Sequence, residues 1–128
     1  MNETPILERI KKATPPGTKI PKPESDESYV VIGWGISRGE DALVYELPMK
    51  PTSRRASQKR IPASAFRCAH EVLQATDEIT RIWFATNYPE LERDGSCNFT
   101  TLGGVFELLG EAVYAGRGVY QRRATSTA

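Results

Sequence analysis

The chain has 128 residues and a nearly balanced charge, with 17 basic and 16 acidic side chains and a formal net charge of +1. Its length fits one domain, and its composition of 39% hydrophobic and 26% charged residues excludes wholesale disorder. The longest apolar stretches, such as residues 30–32, are far shorter than the roughly 20 residues of a membrane span, and the N-terminus lacks the apolar run of a secretory signal. We therefore expect a cytoplasmic protein without a membrane partner.

The charges are unevenly distributed along the chain. Residues 50–67 contain six bases and no acid, and residues 112–128 contain three bases and no acid. Between residues 24 and 46, in contrast, Arg38 is the only base among six acids. This segregation predicts a charge-polarised surface.

The N-terminal residues are predicted to form an arm. Thr4 as a cap and Pro5 in the first turn predict a short helix that ends near Ala13. The prolines of residues 14–23 remove amide donors and favour extended backbone, so this segment is predicted to be a stiff linker or arm.

A β-hairpin is predicted after the arm. Residues 29–36 and 42–47 are rich in β-branched and aromatic side chains, and turn-forming residues separate them. Gly33 and Gly35 flank Trp34 and predict a bulge or kink where the indole packs.

A basic loop is predicted next, because residues 49–62 are polar and broken by prolines. Its positive charges are candidates for contacts with phosphate, although they also serve simply to keep a loop in water. The candidate residues are Arg54, Arg55, Lys59 and Arg60.

Residues 63–123 are predicted to form three helices and a final hairpin. Apolar residues recur at helical spacing over residues 63–75, which predicts the first helix. Thr76 is a candidate cap for the second helix, which should carry Ile82 on its inner face and end before Pro89.

The third helix is predicted to begin at Asn98 as its cap and to end at Gly110. Gly103 and Gly104 lie inside it and cost on the order of 1 kcal/mol each relative to alanine, so we expect another backbone to pack closely there. The two glycines of residues 115–118 then predict a tight turn between two short strands.

These elements predict an α+β fold in which an N-terminal β-hairpin precedes a unit of three helices and a β-wing. The predicted organisation is an arm (1–27) and a single α+β domain (28–128), which comprises the hairpin (28–48), the basic loop (49–62), the helical unit with its wing (63–123) and a frayed tail (124–128).

The order of three helices and an arginine-tipped hairpin over residues 61–123 resembles the winged helix-turn-helix superfamily. The resemblance implies that the third helix enters the major groove of DNA and that the wing contacts the backbone or the minor groove. The implied recognition-helix residues are Asn98, Thr100 and Thr101, and the implied wing residues are Arg117, Arg122 and Arg123.

We therefore expect a DNA-binding accessory protein, with a role in transcription regulation, that contacts duplex DNA. Against this, the outward face of the third helix carries Glu107 and no base. The alternative is a non-enzymatic protein-interaction module that forms a homodimer or binds a protein partner through its glycine-bearing helix and aromatic hairpin.

The sequence offers no catalytic or metal-binding constellation. Cys68 and His70 point about 200° apart on a helix, so together with Cys97 they make a poor zinc site. His70 is the only histidine, and no nucleophile is spaced for it to activate. We expect no enzyme activity, no cofactor and no metal, and two reduced cysteines.

Overall fold

The computed structural model describes residues 5–48 and 57–123. The fold is α+β, as predicted, and consists of two antiparallel sheets and several helices. In chain order the elements are α1 (Pro5–Ala13), β1 (Lys19–Pro21), β2 (Ser28–Ser37), β3 (Glu40–Glu46), β4 (Gln58–Pro62), α2 (Ala63–Thr76), β5 (Glu78–Thr80), α3 (Arg81–Asn87), α4 (Pro89–Asp94), α5 (Cys97–Leu108), β6 (Ala112–Gly116) and β7 (Val119–Arg122). Thr4, Arg54, Arg55 and the predicted tail at 124–128 lie outside the described residues.

The first sheet is a meander in the order β1-β2-β3-β4. It contains the predicted hairpin, in which β2 pairs with β3 across a turn at Arg38 and Gly39. The predicted bulge is also present, because the pairing register shifts between Val31 and Gly33. Gly33 adopts a φ of +154°, a conformation that L side chains rarely adopt.

Two segments of this sheet correct the sequence-based prediction. The proline-rich linker contains β1, where Ile20 pairs with Tyr29 and is fully buried. Part of the predicted basic loop is β4, where Ile61 pairs with Leu43 and is fully buried. Both are edge strands, where proline is tolerated, and each is held by one buried isoleucine that composition alone does not reveal.

The second sheet has the order β5-β7-β6. Its β6–β7 hairpin, with Arg117 and Gly118 at the tip, was predicted. Strand β5 was not predicted. Asp77 follows the last residue of α2, and its φ of +66° lets the chain turn directly into the strand. The predicted helix start at Thr76 is therefore wrong, and Thr80 caps α3 instead by accepting a hydrogen bond from the Trp83 N–H at 3.0 Å.

The later start of α3 also changes which face of it is buried. Ile82, predicted on the inner face, is 81% exposed, whereas Phe84 is fully buried. The chain from Pro89 forms the short helix α4, with proline in its first turn.

Helix α5 lies between the two sheets and is buried on almost every side. Its residues from 98 to 106 are buried except for Thr100, which is half-buried. Gly103 abuts the Tyr120 ring of β7, and a β-carbon on Gly104 would lie 2.6 Å from Ile20 and 3.0 Å from the Pro21 carbonyl of β1. The close approach expected at these glycines therefore comes from within the chain.

The helices of the described residues are all too short to span a bilayer: none combines the length and apolar character that a crossing requires. The longest, α2, has 14 residues. Its face towards the core carries Phe66, Ala69 and Leu73, all fully buried. Helix α1, which matches its prediction, packs beside α2 and buries Ile10.

Candidate functional site

The residues expected to read DNA bases lie in the interior. Asn98 and Thr101 are fully buried and Thr100 is half-buried. Asn98 does not cap α5, which begins one residue earlier at Cys97. A side chain without exposed surface cannot contact a base edge in this conformation, because direct readout requires its polar atoms in the groove.

Two of these side chains, Asn98 and Thr100, instead form hydrogen bonds that join the first sheet to α5. The Tyr45 hydroxyl donates to Asn98 Oδ1 at 2.6 Å, and Asn98 Nδ2 donates to the Leu91 carbonyl at 2.9 Å. The hydroxyls of Tyr29 and Thr100 lie 2.7 Å apart. Burial raises the pKa of the Tyr45 phenol far above its ordinary value of 10.0, so this donor stays protonated at neutral pH.

The arginines of the C-terminal hairpin lie at the surface of the second sheet. Arg117 and Arg123 are exposed, and neither forms an ion pair with any residue in the described part of the chain. Arg122 lies 3.5 Å from the carboxylate of Asp77. The tip of the hairpin therefore carries unneutralised positive charge.

The other two described candidates, Lys59 and Arg60, lie on β4 in the first sheet. Lys59 donates to the Asp94 backbone carbonyl at 2.7 Å and approaches the Asp94 carboxylate at 3.2 Å. Arg60 donates to the Ile36 carbonyl at 2.8 Å. Because the two sheets pack against different faces of α5, the structure does not bring these bases together with those of the hairpin.

Lys59 and Arg60 line an open groove of about 720 Å³ beside β4. One wall is β4 itself, a second is the turn between β2 and β3, and the third is the corner where α3 meets α4. The volume of this groove lies in the range of a ligand-binding site.

The wall formed by β4 is the free edge of the first sheet. The Leu47 N–H donates to the Ser57 carbonyl at 3.0 Å, so Leu47 and Ser57 are a hydrogen-bonded pair that continues the β3–β4 ladder. In an antiparallel ladder the bonded and non-bonded pairs alternate. Gln58 and Arg60 therefore belong to non-bonded pairs and direct their backbone N–H and C=O groups away from β3, towards the groove.

Two ion pairs join α4, on the opposite side of the groove, to the first sheet. Arg38 in the β2–β3 turn pairs with Glu90 of α4, and Lys59 pairs with Asp94. Helix α4 buries none of its six residues. Its Leu91 nevertheless packs against the core, and the Leu91 carbonyl accepts from Asn98 Nδ2, whereas the exposed Arg38–Glu90 pair contributes less than about 1 kcal/mol.

Sequence reasoning did not identify this groove. Lys59 and Arg60 were predicted to lie in a basic loop, and the acids of the groove, which include Glu90 and Asp94, were not singled out as candidate residues. The one available signal was the spacing of Gln58, Arg60 and Pro62, which would share a single side of a strand. That signal required first recognising β4 as a strand.

No residues in the described ranges 5–48 and 57–123 form a group of three or more histidine, cysteine, aspartate or glutamate side chains that could hold a metal ion. Cys68 is exposed and Cys97 is half-buried, and both thiols are free. His70 stacks on the Phe106 ring with centroids 6.2 Å apart, and its Nε2 lies 3.8 Å from the Glu111 carboxylate. These contacts give His70 a packing role in the middle of α2.

Comparison with known proteins gives no relative for this chain. No protein-family model matches it, and neither a curated protein nor a solved structure is significantly similar to it. The resemblance to winged helix-turn-helix domains rests on element order alone.

Proposed function

We propose that the protein is a non-enzymatic protein-interaction module that binds its partner in the groove beside β4. The observation that carries this proposal is the unpaired backbone edge of Gln58 and Arg60, which lines the groove. An exposed strand edge is a template for association, and proteins usually protect such an edge or use it.

The burial of α5 favours this function over recognition of DNA bases. The helix that would enter the major groove is covered on one face by β1 at Gly104 and on another by Tyr120 of the second sheet. The groove, in contrast, is open to solvent and combines backbone donors and acceptors with charged side chains. These are the features that orient a bound polypeptide.

Site-specific photo-crosslinking in cells of the source organism tests the proposal. A photo-crosslinking amino acid placed at Gln58, in the groove, should capture one or a few discrete proteins. The same amino acid at Gln121, an equally polar and exposed position on the second sheet, is the matched control and should capture none of them. Equal capture at both positions, or no capture at Gln58, would contradict the proposal.

Contact with the DNA backbone is a second candidate function, and a specific observation favours it. Arg117 and Arg123 are exposed and lack ion-pair partners among the residues of known placement. Such arginines can neutralise phosphates without reading sequence. This function would use the hairpin and leave α5 buried.

A further inference from the structure

We infer that the partner binds as an extended segment that adds to β4 as a fifth strand and presents uncharged, apolar side chains to Tyr88 and Leu91. This inference rests on the proposed function and specifies the binding mode and the chemistry of the partner.

The backbone edge of β4 selects an extended chain. Gln58 and Arg60 are both exposed, and their outward donors and acceptors repeat with a period of two residues, which is the spacing that another strand matches. No backbone hydrogen bond joins β4 to α3 or α4 in the described part of the chain. This wall of the groove therefore offers main-chain hydrogen bonds to an added strand.

The outer strands of the second sheet show how this chain closes a strand edge. The Tyr114 N–H of β6 donates to Glu107 Oε2 at 3.0 Å, and the Glu78 carbonyl of β5 accepts from the Thr76 hydroxyl at 2.9 Å. Side chains that occupy edge groups in this way hinder pairing with another strand. No side chain of residues 5–48 or 57–123 bonds to the backbone of β4 in the same way. The edge of β4 therefore lacks the protection that the second sheet has.

Two ion pairs account for four of the charged side chains that line the groove. Arg38 pairs with Glu90, and Lys59 pairs with Asp94 at 3.2 Å. Lys59 also donates to the Asp94 backbone carbonyl at 2.7 Å. These four side chains therefore already balance one another's charge.

The two remaining charged side chains of the groove also have partners within the chain. The Glu40 carboxylate accepts from the Ser64 N–H at 2.9 Å and from the Ser64 hydroxyl at 3.1 Å. The Arg60 guanidinium reaches across β3 to the Ile36 carbonyl of β2, away from the free edge. With three acids and three bases in the groove, a charged partner residue of either sign would lose water there without gaining an unpaired countercharge. Charge complementarity thus selects an uncharged segment.

The helical wall of the groove selects apolar side chains. The Lys59 side chain reaches Asp94, so α4 borders the face of the sheet on which Lys59 lies. Paired residues of an antiparallel sheet point to the same face, so the residue of the added strand opposite Lys59 points there as well. On that face it meets Tyr88 and Leu91, which are half-buried and line the groove. An apolar side chain would cover both without leaving a polar group unpaired.

The same argument disfavours a second copy of this chain as the occupant. A symmetric antiparallel β4–β4 pair centred on Lys59 would place the two Lys59 side chains opposite each other on the face of Tyr88 and Leu91, and a pair centred on Arg60 would oppose two arginines. Like charges directly opposite each other destabilise a strand pair. The structure thus favours a segment of a different protein over self-association through this edge.

Peptide probes test the chemistry of the partner. A phage-displayed library of random seven-residue peptides is selected on the full-length chain, and binders are kept when they shift the amide NMR signals of Gln58 and Arg60. Each position of such a peptide is then replaced by glutamate and, separately, by lysine. We expect both replacements to weaken binding about tenfold or more at alternate positions and less than about twofold at the intervening positions.

Three results would overturn the inference. They are an alternate position that accepts glutamate but not lysine, or the reverse; a sensitivity to charge without a period of two residues; and a library that yields no binder at Gln58 and Arg60. If no peptide bound there while photo-crosslinking at Gln58 still captured a protein, the inference would fail and the proposed function would stand.

Backbone methylation of a selected peptide tests strand addition without altering the protein. Methylation of the amides that face β4 should weaken binding about tenfold, because each removes a main-chain donor, and methylation of the intervening amides should have little effect. Affinity that is insensitive to the methylated position would exclude strand addition.

A pair of protein variants provides the complementary evidence. Arg60→Pro removes the outward N–H without breaking a β3–β4 ladder bond, and Arg60→Ala is its matched control, because both variants lack the guanidinium and only Arg60→Ala keeps the N–H. Arg60→Pro should bind a selected peptide roughly tenfold more weakly than Arg60→Ala. Circular dichroism establishes that both variants are folded. Equal affinities for the two folded variants would contradict strand addition.

Discussion

Substitution of Asn98 by alanine tests whether α5 is a buried structural helix or a DNA-recognition helix. A recognition-helix residue would affect sequence discrimination and leave stability almost unchanged, since reading residues are exposed. In the structure Asn98 is fully buried and bonded to Tyr45 and Leu91. We therefore expect Asn98→Ala to act on folding.

The magnitude follows from the two lost hydrogen bonds. The substitution leaves the buried Tyr45 hydroxyl without its acceptor, which costs about 1–3 kcal/mol, and removes a second hydrogen bond worth about 1 kcal/mol from the Leu91 carbonyl, which keeps the Gly95 N–H at 3.3 Å. We expect a loss of about 2–4 kcal/mol in the free energy of unfolding. For a domain of this size the melting temperature should fall by roughly 3–5 °C for each kcal/mol.

Chemical denaturation and thermal melting measure this loss, with Asn87→Ala as the matched control. Asn87 is exposed at the end of α3 and bonds only to the Trp83 carbonyl, so its replacement should change stability by less than about 0.5 kcal/mol. Asn98→Ala leaves the Tyr45 hydroxyl without its acceptor, and adding Tyr45→Phe removes that hydroxyl. The double substitution should therefore cost about 1 kcal/mol less than the sum of the single changes. A loss no larger than that of Asn87→Ala would refute this account of α5.

Three further predictions concern packing, pH and DNA. Gly104→Ala should lower the free energy of unfolding by about 1–3 kcal/mol, because its β-carbon meets Ile20 and the Pro21 carbonyl of β1; a stabilised variant in denaturant melts would contradict it. Burial raises the pKa of Tyr120 above 10.0. The contribution of the buried neutral phenol to the free energy of unfolding is therefore complete below pH 10 and is lost as the pH rises further. Tyr120→Phe should therefore reduce the alkaline slope of stability by up to about 1.4 kcal/mol per pH unit, and an unchanged slope in denaturation series above pH 10 would count against it. If the hairpin contacts DNA, Arg117→Ala should weaken binding to all duplexes alike and flatten the log-log salt dependence by about one unit, whereas a wild-type protein that binds no duplex at low salt would eliminate that function.

The elements that the sequence predicted well are those with strong local signals. The β2–β3 and β6–β7 hairpins carry turn glycines between β-rich segments, and α1 and α2 carry apolar residues at helical spacing. These signals act over a few residues, so they do not depend on the rest of the fold.

The elements that the sequence missed depend on distant partners. Strands β1, β4 and β5 are each three to five residues long and contain one buried isoleucine among polar or proline neighbours. Their strand conformation comes from pairing with a neighbouring strand, which local propensity does not encode. The groove was missed for the same reason, because its main wall is β4.

The covering of α5 argues against recognition of DNA bases through this helix. For α5 to read DNA, the first sheet would have to leave it, which would expose core residues such as Ile20, Leu43 and Ile61. Exposure of these three side chains alone costs about 5–9 kcal/mol, a large share of the roughly 5–15 kcal/mol that stabilises a whole domain. That cost is also comparable to the roughly 4–10 kcal/mol that separates specific from non-specific DNA binding, so opening would cancel the gain. The sheet that hides α5 is the sheet whose free edge borders the groove, and recognition through that edge requires no core residue to be exposed.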